Sequence, residues 1–183
     1  MHFTGKGRLA GGSMNAPFFR WLPLLGLALF AGLVVFLVRP PRPVAATAPA
    51  TEFSASRALA HMAVVARQPH PLGSPAQAAV RDYLLRRCQA LGVAATVQDT
   101  SILVTDYGQT TVARVQNVIA RLPGRQPGGK AVLVLAHYDS QSHAPGAGDD
   151  GAGVAAMLET LRVLRAGPPL ANDVIWLFSD GEE

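Results

Sequence analysis

The chain has 183 residues, of which 49% are hydrophobic and 15% are charged, and its formal net charge is +4. This length is enough for one domain with a hydrophobic core and an appendage. The sixteen basic residues are mostly arginines spread singly along the chain, with Arg86 and Arg87 as the one adjacent pair. Because they form no basic stripe interleaved with aromatic residues, the composition argues against nucleic-acid binding.

An uncharged apolar run covers eighteen residues near the amino terminus, from Trp21 to Val38. As a helix it would be roughly 27 Å long, close to the hydrocarbon thickness of a bilayer. We therefore expect a transmembrane helix or signal anchor at 21–38, after a leader at 1–20 and before a Pro/Ala-rich linker at 39–53. The alternative is a cleaved signal peptide with small residues at 46–48, although the run exceeds the usual apolar length of about 7–15 residues.

Basic residues bracket the apolar run unevenly. Lys6, Arg8 and Arg20 precede it, whereas Arg39 and Arg42 follow it. The positive-inside rule then favours a single-pass membrane protein with its amino end in the cytoplasm. Residues 54–183 are expected outside the cytoplasm, in a periplasmic or lumenal compartment.

Residues 54–183 begin with two helical patterns and two strand-like segments. Apolar residues at helical spacing predict a helix over 54–66. Ser74 and Pro75 predict the start of a second helix, which runs to Leu91 and ends at Gly92. Its apolar stripe includes Cys88, so this single cysteine is interpreted as a buried thiol. Segments 94–105 and 111–122 are rich in Val, Ile and Thr and predict a hairpin or two adjacent strands.

A strand, a helix and a second strand follow. The continuous apolar run 131–136 predicts a strand buried on both faces, an amphipathic helix starts near Val154, and 174–178 predicts another buried strand. This order implies a parallel pair of strands. We therefore predict an α/β fold with a mixed, largely parallel sheet flanked by helices. In such sheets ligands bind beyond the carboxyl ends of the strands.

Three short motifs lie at those expected strand ends and helix starts: HYDS at 137–140, GDDGAG at 148–153 and SDGEE at 179–183. His137 and Asp139 are two residues apart, so in extended backbone they point to the same side. A carboxylate placed there can accept the proton of one imidazole nitrogen and direct the other towards a metal. Taken alone, Asp139 and Ser140 are better explained as the start of a turn.

The other two motifs each contain adjacent carboxylates. Asp149 and Asp150 are typical of a helix amino terminus, but the glycines around them permit the close approach that a bridging ligand needs. Glu182 and Glu183 repel each other unless a cation or a shared proton relieves them. In a metal-dependent hydrolase one of them can ligate the metal while the other accepts a proton from water. The three motifs in this order favour a hydrolase site.

Together these motifs resemble peptidase family M28, the aminopeptidases and related zinc exopeptidases, as do HPLGSPAQAAVRDYL at 70–84 and NVIARLPG at 117–124. The resemblance implies a zinc exopeptidase fold, two zinc ions per complete site and a peptide substrate. It implies that His137 ligates one zinc, that Asp149 bridges both and that Glu183 ligates the other. Glu182 would be the general base and Asp139 would orient His137. The peptide bond after Asp149 is often cis in this family.

The family also supplies an Asp and a His downstream of its Glu-Glu pair. Residues 54–183 are therefore expected to be the amino-terminal part of a peptidase domain, incomplete at its carboxyl end and inactive alone. Two alternatives stay open: a glutaminyl cyclase, and a non-catalytic receptor or interaction domain on the same fold. The middle motif GDDGAGVAAMLE favours the peptidase. Neither substrate side-chain specificity nor oligomeric state follows from these residues.

Overall fold

The structure is a computed structural model that describes residues 21–106, 108–126 and 128–183. The predicted leader at 1–20 lies outside the described residues. The chain divides into two compact units, Met1–Arg42 and Pro43–Glu183. The helices and strands are α1 (Leu22–Leu37), α2 (Ala55–Val65), α3 (Pro75–Ala90), β1 (Ala95–Asp106), β2 (Gln109–Leu122), β3 (Val132–His137), α4 (Ala152–Ala166) and β4 (Val174–Ser179).

Helix α1 forms within the predicted apolar run but is shorter than that run. It has 16 residues, and Trp21 and Val38 cap it instead of extending it. At 1.5 Å per residue the helix is about 24 Å long. Across residues 21–183, as far as the structure describes them, no helix combines the length and the apolar character that a membrane span needs. The spanning helix predicted over 21–38 is therefore not found.

The second unit is built on one four-stranded sheet in the order β1-β2-β4-β3. Strands β1 and β2 form the predicted antiparallel hairpin, and β3 pairs in parallel with β4, also as predicted. The prediction of a largely parallel sheet is wrong for the described strands, because β2 pairs antiparallel with β4. The sheet is mixed, with a parallel pair at one edge and a hairpin at the other.

Serine caps set the starts of the two helices that precede the sheet. The Ser54 side chain accepts a hydrogen bond from the Arg57 amide, and the Ser74 side chain accepts one from the Gln77 amide. Each bond satisfies a backbone donor that a helix start leaves without a partner. At the end of α3 the chain turns at Gly92 with φ of 66°. Both predicted helices are confirmed to within about two residues.

The core lies between one face of the sheet and the helices that pack on it. Its largest fully buried side chains include Trp176 and Phe178 on β4 and Leu158 and Leu161 on α4. Cys88 is fully buried in this core, and burial raises the pKa of its thiol to about 11. The interpretation of Cys88 as a core residue is confirmed.

Strand β3 differs from its prediction as a strand buried on both faces. Leu133 and Leu135 are 58% and 59% exposed, whereas Ala136 on the opposite face is buried. The reason is position, since β3 is an edge strand and the described elements cover only one of its faces. An apolar run specifies a strand but not how many of its faces are covered.

A buried ion cluster fastens α2 to α4. The Glu159 carboxylate on α4 is fully buried and accepts hydrogen bonds from Arg57 Nε at 3.0 Å, Arg162 Nε at 2.7 Å and the Ser54 amide at 2.8 Å. The same two arginines donate to backbone carbonyls of the preceding segment, those of Ala46, Ala48, Pro49, Ala50 and Glu52. Part of the predicted linker at 39–53 is therefore bound to the domain.

We expect Glu159→Gln to destabilise the domain by about 3 kcal/mol at pH 7, because it leaves two partly buried guanidinium groups without their carboxylate. Burial raises the pKa of Glu159, but hydrogen bonds from Arg162, the Ser54 amide and Arg57 outweigh burial and hold the pKa at about 2. Since this value lies below the ordinary 4.5, the stabilisation is complete above pH 4.5 and is lost as the pH falls towards 2.

Urea unfolding at several pH values measures this effect. The difference in unfolding free energy between the wild-type protein and Glu159→Gln should shrink as the pH falls from 4.5 towards 2. Glu52→Gln is the control, because its exposed side chain takes no part in the cluster. A difference independent of pH would mean that the charge of Glu159 contributes nothing.

Candidate metal centre

The carboxyl ends of the parallel strands β3 and β4 bring the first and third motifs together. His137 is the last residue of β3, and its register partner on β4 is Ser179, the last residue of that strand. The segments that leave these strands carry Asp139 on one side and Glu182 and Glu183 on the other. This is the edge of the sheet at which the sequence predicts the site.

The second motif reaches the same place through an irregular turn, Ala147–Gly151, that leads into α4. Gly146 begins the turn with φ of 65°, and its carbonyl accepts a hydrogen bond from the Gly151 amide at 2.8 Å. A Cβ on Gly146 would lie 2.8 Å from the Asp149 carbonyl oxygen, so the turn requires glycine here. The peptide bond between Asp149 and Asp150 is cis, as the resemblance implies.

The two adjacent aspartates face different partners. Asp149 has an exposed side chain that reaches His137. The Asp150 carboxylate instead accepts a hydrogen bond from the Gly153 amide at 3.0 Å, in the first turn of α4. Gly153 allows this contact, since a Cβ there would collide with the Asp150 carboxylate. Within this motif Asp149 therefore faces outward, whereas Asp150 binds the start of α4.

His137 is the centre of the cluster. Its Nε2 atom lies 3.0 Å from Asp149 Oδ1 and 3.8 Å from Glu182 Oε2. His137, Asp149 and Glu183 each offer a ligand atom within 4.8 Å of the other two. The imidazole is nearly buried, whereas the Asp149 and Glu182 side chains are 85% and 62% exposed. The group is open on its carboxylate side and is anchored on its histidine side.

Asp139 lies behind the cluster and is 1% exposed. Its Oδ1 atom is 3.6 Å from His137 Nδ1, a buried nitrogen without a hydrogen-bond partner among the described residues. The Asp139 carboxylate also accepts hydrogen bonds from the backbone amides of Glu182 at 3.4 Å and Glu183 at 3.1 Å. It therefore joins the histidine strand to the glutamate segment, a contact that the motif spacing does not reveal.

Asp180 is a further residue that sequence reasoning missed. It is 8% exposed and accepts hydrogen bonds from the Gln77 side chain on α3 and from the Gln116 amide on β2. Its own amide donates to the Asn117 side chain at 2.9 Å. Burial raises the pKa of this carboxyl. Asp180 thus fixes the start of the glutamate segment to two other elements.

The electrostatics of the cluster favour a bound cation. Burial lowers the pKa of the His137 imidazole, but Asp149, Asp139 and Glu182 raise it by more, so the pKa lies above its usual range. This direction shows that the site stabilises positive charge next to the ring. One imidazole nitrogen with carboxylate oxygens is a donor set that suits zinc. The residues present fit a zinc ion, and all five predicted site residues lie together.

Comparison with known proteins agrees with this geometry. Residues 117–183 match the model of peptidase family M28. The chain is 41% identical over 70 residues to endoplasmic reticulum metallopeptidase 1 of Mus musculus, covering 38% of this chain and 8% of that protein. It is 31% identical over 180 residues to a vacuolar membrane protease of Pyrenophora teres f. teres, covering 86% of this chain and 18% of that protein.

Solved structures share the fold. A glutaminyl cyclase of Porphyromonas gingivalis matches with a TM-score of 0.62 and 28% identity, over 70% of this chain and 45% of that one. A Zn-dependent exopeptidase of Parabacteroides distasonis matches with a TM-score of 0.60 and 29% identity, over 73% and 49%. The chain therefore spans about half the length of these structures and less than a fifth of the two relatives above.

The mixed sheet, its flanking helices and the donor cluster at the strand ends define a domain of the zinc exopeptidase type. The motifs of this cluster all fall within the matched residues 117–183. Residues 117–183 therefore carry the signature of peptidase family M28.

Proposed function

We propose that this chain forms part of a zinc-dependent exopeptidase of the aminopeptidase type, which hydrolyses peptide bonds with a water activated by two zinc ions. The observation that carries the proposal is the approach of His137, Asp149 and Glu183 ligand atoms to within 4.8 Å of one another. The match of residues 117–183 to peptidase family M28 supports it, as do the relatives that are named metallopeptidase and protease.

Each site residue has a distinct proposed role. His137 Nε2, Asp149 and Glu183 would hold the zinc, with Asp149 shared between two ions. Bound zinc would polarise the scissile carbonyl and lower the pKa of the attacking water. Glu182 would accept the proton of that water and pass it to the leaving amine. Its exposed carboxylate lies 3.8 Å from His137 Nε2, on the side of the ring where the metal would bind.

Asp139 is proposed as a positioning residue. Its two amide hydrogen bonds hold the backbone of Glu182 and Glu183 beside His137. Its carboxylate also favours the Nδ1–H tautomer, which leaves the lone pair of Nε2 free for a metal. One buried carboxylate therefore aligns the ligand histidine and the glutamate pair.

A glutaminyl cyclase is the second candidate, because structures of that class match the fold with TM-scores close to that of the exopeptidase. The fold alone does not separate the two activities. The relatives found by sequence are named metallopeptidase or protease, which favours hydrolysis. The two activities can be told apart by their chemistry, since hydrolysis consumes water whereas cyclisation releases ammonia.

Membrane association is a further part of the proposal. Two groups of relatives are named for a membrane or for the endoplasmic reticulum. The uncharged residues 21–38 supply an apolar surface, since α1 buries none of its side chains. We propose that these residues bind the membrane, with residues 54–183 on the side away from the cytoplasm.

One assay tests activity and location together, on the longest form of the protein that its gene encodes. Aminoacyl anilides and a peptide with amino-terminal glutamine are incubated with soluble and membrane fractions of cells that produce the protein. We expect chelator-sensitive release of free amino acids, restored by zinc, in the membrane fraction. Ammonia release without free glutamine would identify the cyclase instead, and hydrolysis unaffected by chelators would contradict a zinc enzyme.

A further inference from the structure

A second polar cavity lies among helices α2, α3 and α4, apart from the residues of the metal centre. Its volume is about 300 Å³. The polar residues that line it are Arg57, His61, Tyr83, Arg87, Glu159 and Arg162. Three guanidinium groups therefore face one carboxylate, which leaves an excess of positive charge in a partly enclosed space.

The single carboxylate is already committed to two of the three arginines. Glu159 pairs with Arg57 Nε at 3.0 Å and with Arg162 Nε at 2.7 Å. Those two guanidinium groups also donate to backbone carbonyls of the preceding segment, including Ala48 at 2.9 Å and Ala50 at 2.6 Å. The positive charge and the hydrogen-bond donors of these two arginines are therefore largely satisfied within the protein.

Arg87 is different. No ion pair within residues 21–183, as far as the structure describes them, includes Arg87. Its Nε atom is buried and lacks a hydrogen-bond partner. The residue as a whole is half-buried. A buried donor such as Nε is costly without a partner, and native structures rarely retain one without a reason. The planar guanidinium fork matches the spacing of two oxygens on a carboxylate or phosphate group.

The other two polar side chains add hydrogen-bonding capacity near Arg87. His61 Nδ1 and the Tyr83 hydroxyl are 2.6 Å apart. Burial and the charge of Arg87 lower the pKa of His61, so its ring is neutral at pH 7. Besides Glu159, no acid among the described residues lines the cavity. A ligand that suits the cavity is therefore an anion that accepts hydrogen bonds from Arg87 and from a neutral donor.

We propose that this cavity binds a small oxyanion, a phosphate or a carboxylate group, through the guanidinium of Arg87 with the Tyr83 hydroxyl as second donor. In this arrangement the neutral His61 ring donates from Nδ1 to the Tyr83 oxygen, which leaves the hydroxyl proton for the ligand. The bound group satisfies the unpartnered Nε and offsets the excess positive charge. A volume of about 300 Å³ accommodates such a group beside the three arginine side chains.

Isothermal titration of the whole chain with sodium phosphate, and separately with sodium acetate, tests the proposal at constant ionic strength. We expect saturable binding by the wild-type protein and binding at least about tenfold weaker for Arg87→Gln. Arg86→Gln is the matched control, since Arg86 is the adjacent exposed arginine on the same helix and should bind as the wild-type protein does. The tighter of the two ions identifies the ligand group.

Two milder variants keep the test valid if Arg87→Gln does not fold. Arg87→Lys retains the charge but loses the fork, and Tyr83→Phe retains the ring but loses the hydroxyl. Each should weaken binding several-fold with an unchanged circular dichroism spectrum. Absence of saturable binding up to about 10 mM of either ion would overturn the proposal. So would equal binding by the wild-type protein and the Arg87 variants, which would mean that water alone satisfies Nε.

Discussion

Glu182→Gln is expected to lower the rate of peptide hydrolysis by about 10²- to 10⁴-fold while leaving zinc content unchanged. The glutamine amide has nearly the shape of the carboxylate but cannot accept a proton from water. The Glu182 backbone would stay in place, because it is the amide nitrogen that binds Asp139. Rate and metal content should be measured on the same sample, with the longest form of the protein that the gene encodes. Together they distinguish a chemical role of Glu182 from a structural one.

The neighbouring glutamate supplies the matched comparison. Glu183→Gln removes a proposed ligand and should lower zinc content together with activity. Glu52→Gln, far along the chain on an exposed side chain, should change neither. If Glu182→Gln loses its zinc and Glu183→Gln keeps it, then the base and the ligand have been assigned in reverse.

Much of the fold was predictable because its signals are local. Ser74 caps α3 as expected, the helix predicted over 54–66 forms as α2, and Val/Ile/Thr-rich segments form β1 and β2. The pairing of the strands was harder to predict, since nothing in the sequence of residues 109–122 indicates that β2 lies antiparallel beside β4. Burial of β3 was predicted wrongly for a related reason, because coverage of a strand face depends on elements remote in sequence.

The candidate site shows the same contrast between local signals, which are predictable, and contacts between remote segments, which are not. The strand ends and the helix start, both local features, are sufficient to place His137, Asp149 and Glu182 in one region. What the sequence could not provide were the links between distant segments. The Gln77 side chain reaches Asp180 across 103 positions, and Asp139 binds an amide 44 positions away. No spacing rule predicts such contacts, since they arise only once the sheet and helices have packed.

These distant contacts also explain why one carboxylate can be buried beside a negatively charged site. Asp139 is 1% exposed and adjoins a region rich in other carboxylates. Two backbone amides donate to it, which offsets much of the cost of burying its charge. In return it fixes the glutamate segment. These hydrogen bonds within the chain therefore stabilise this part of the site.

Substitution of His137 should have the largest effect on metal binding. His137→Ala removes the nitrogen ligand and should weaken zinc affinity by about 100-fold or more, since loss of an outer partner alone costs about 10- to 100-fold. Asp139→Asn should fall in that lower range, because it leaves the imidazole in place but removes the charge behind it. Titration of zinc against a competing chelator measures both affinities, and total metal analysis gives the stoichiometry.

His143→Ala is the matched control, because this exposed histidine lies in the segment that follows the same strand but outside the cluster. It should bind zinc as the wild-type protein does. We therefore expect the wild-type protein and His143→Ala to have the highest zinc affinity. Asp139→Asn should bind zinc more weakly, and His137→Ala most weakly. If His143→Ala weakens binding while His137→Ala does not, zinc binds to the loop histidine and the cluster at the strand ends is not the metal centre.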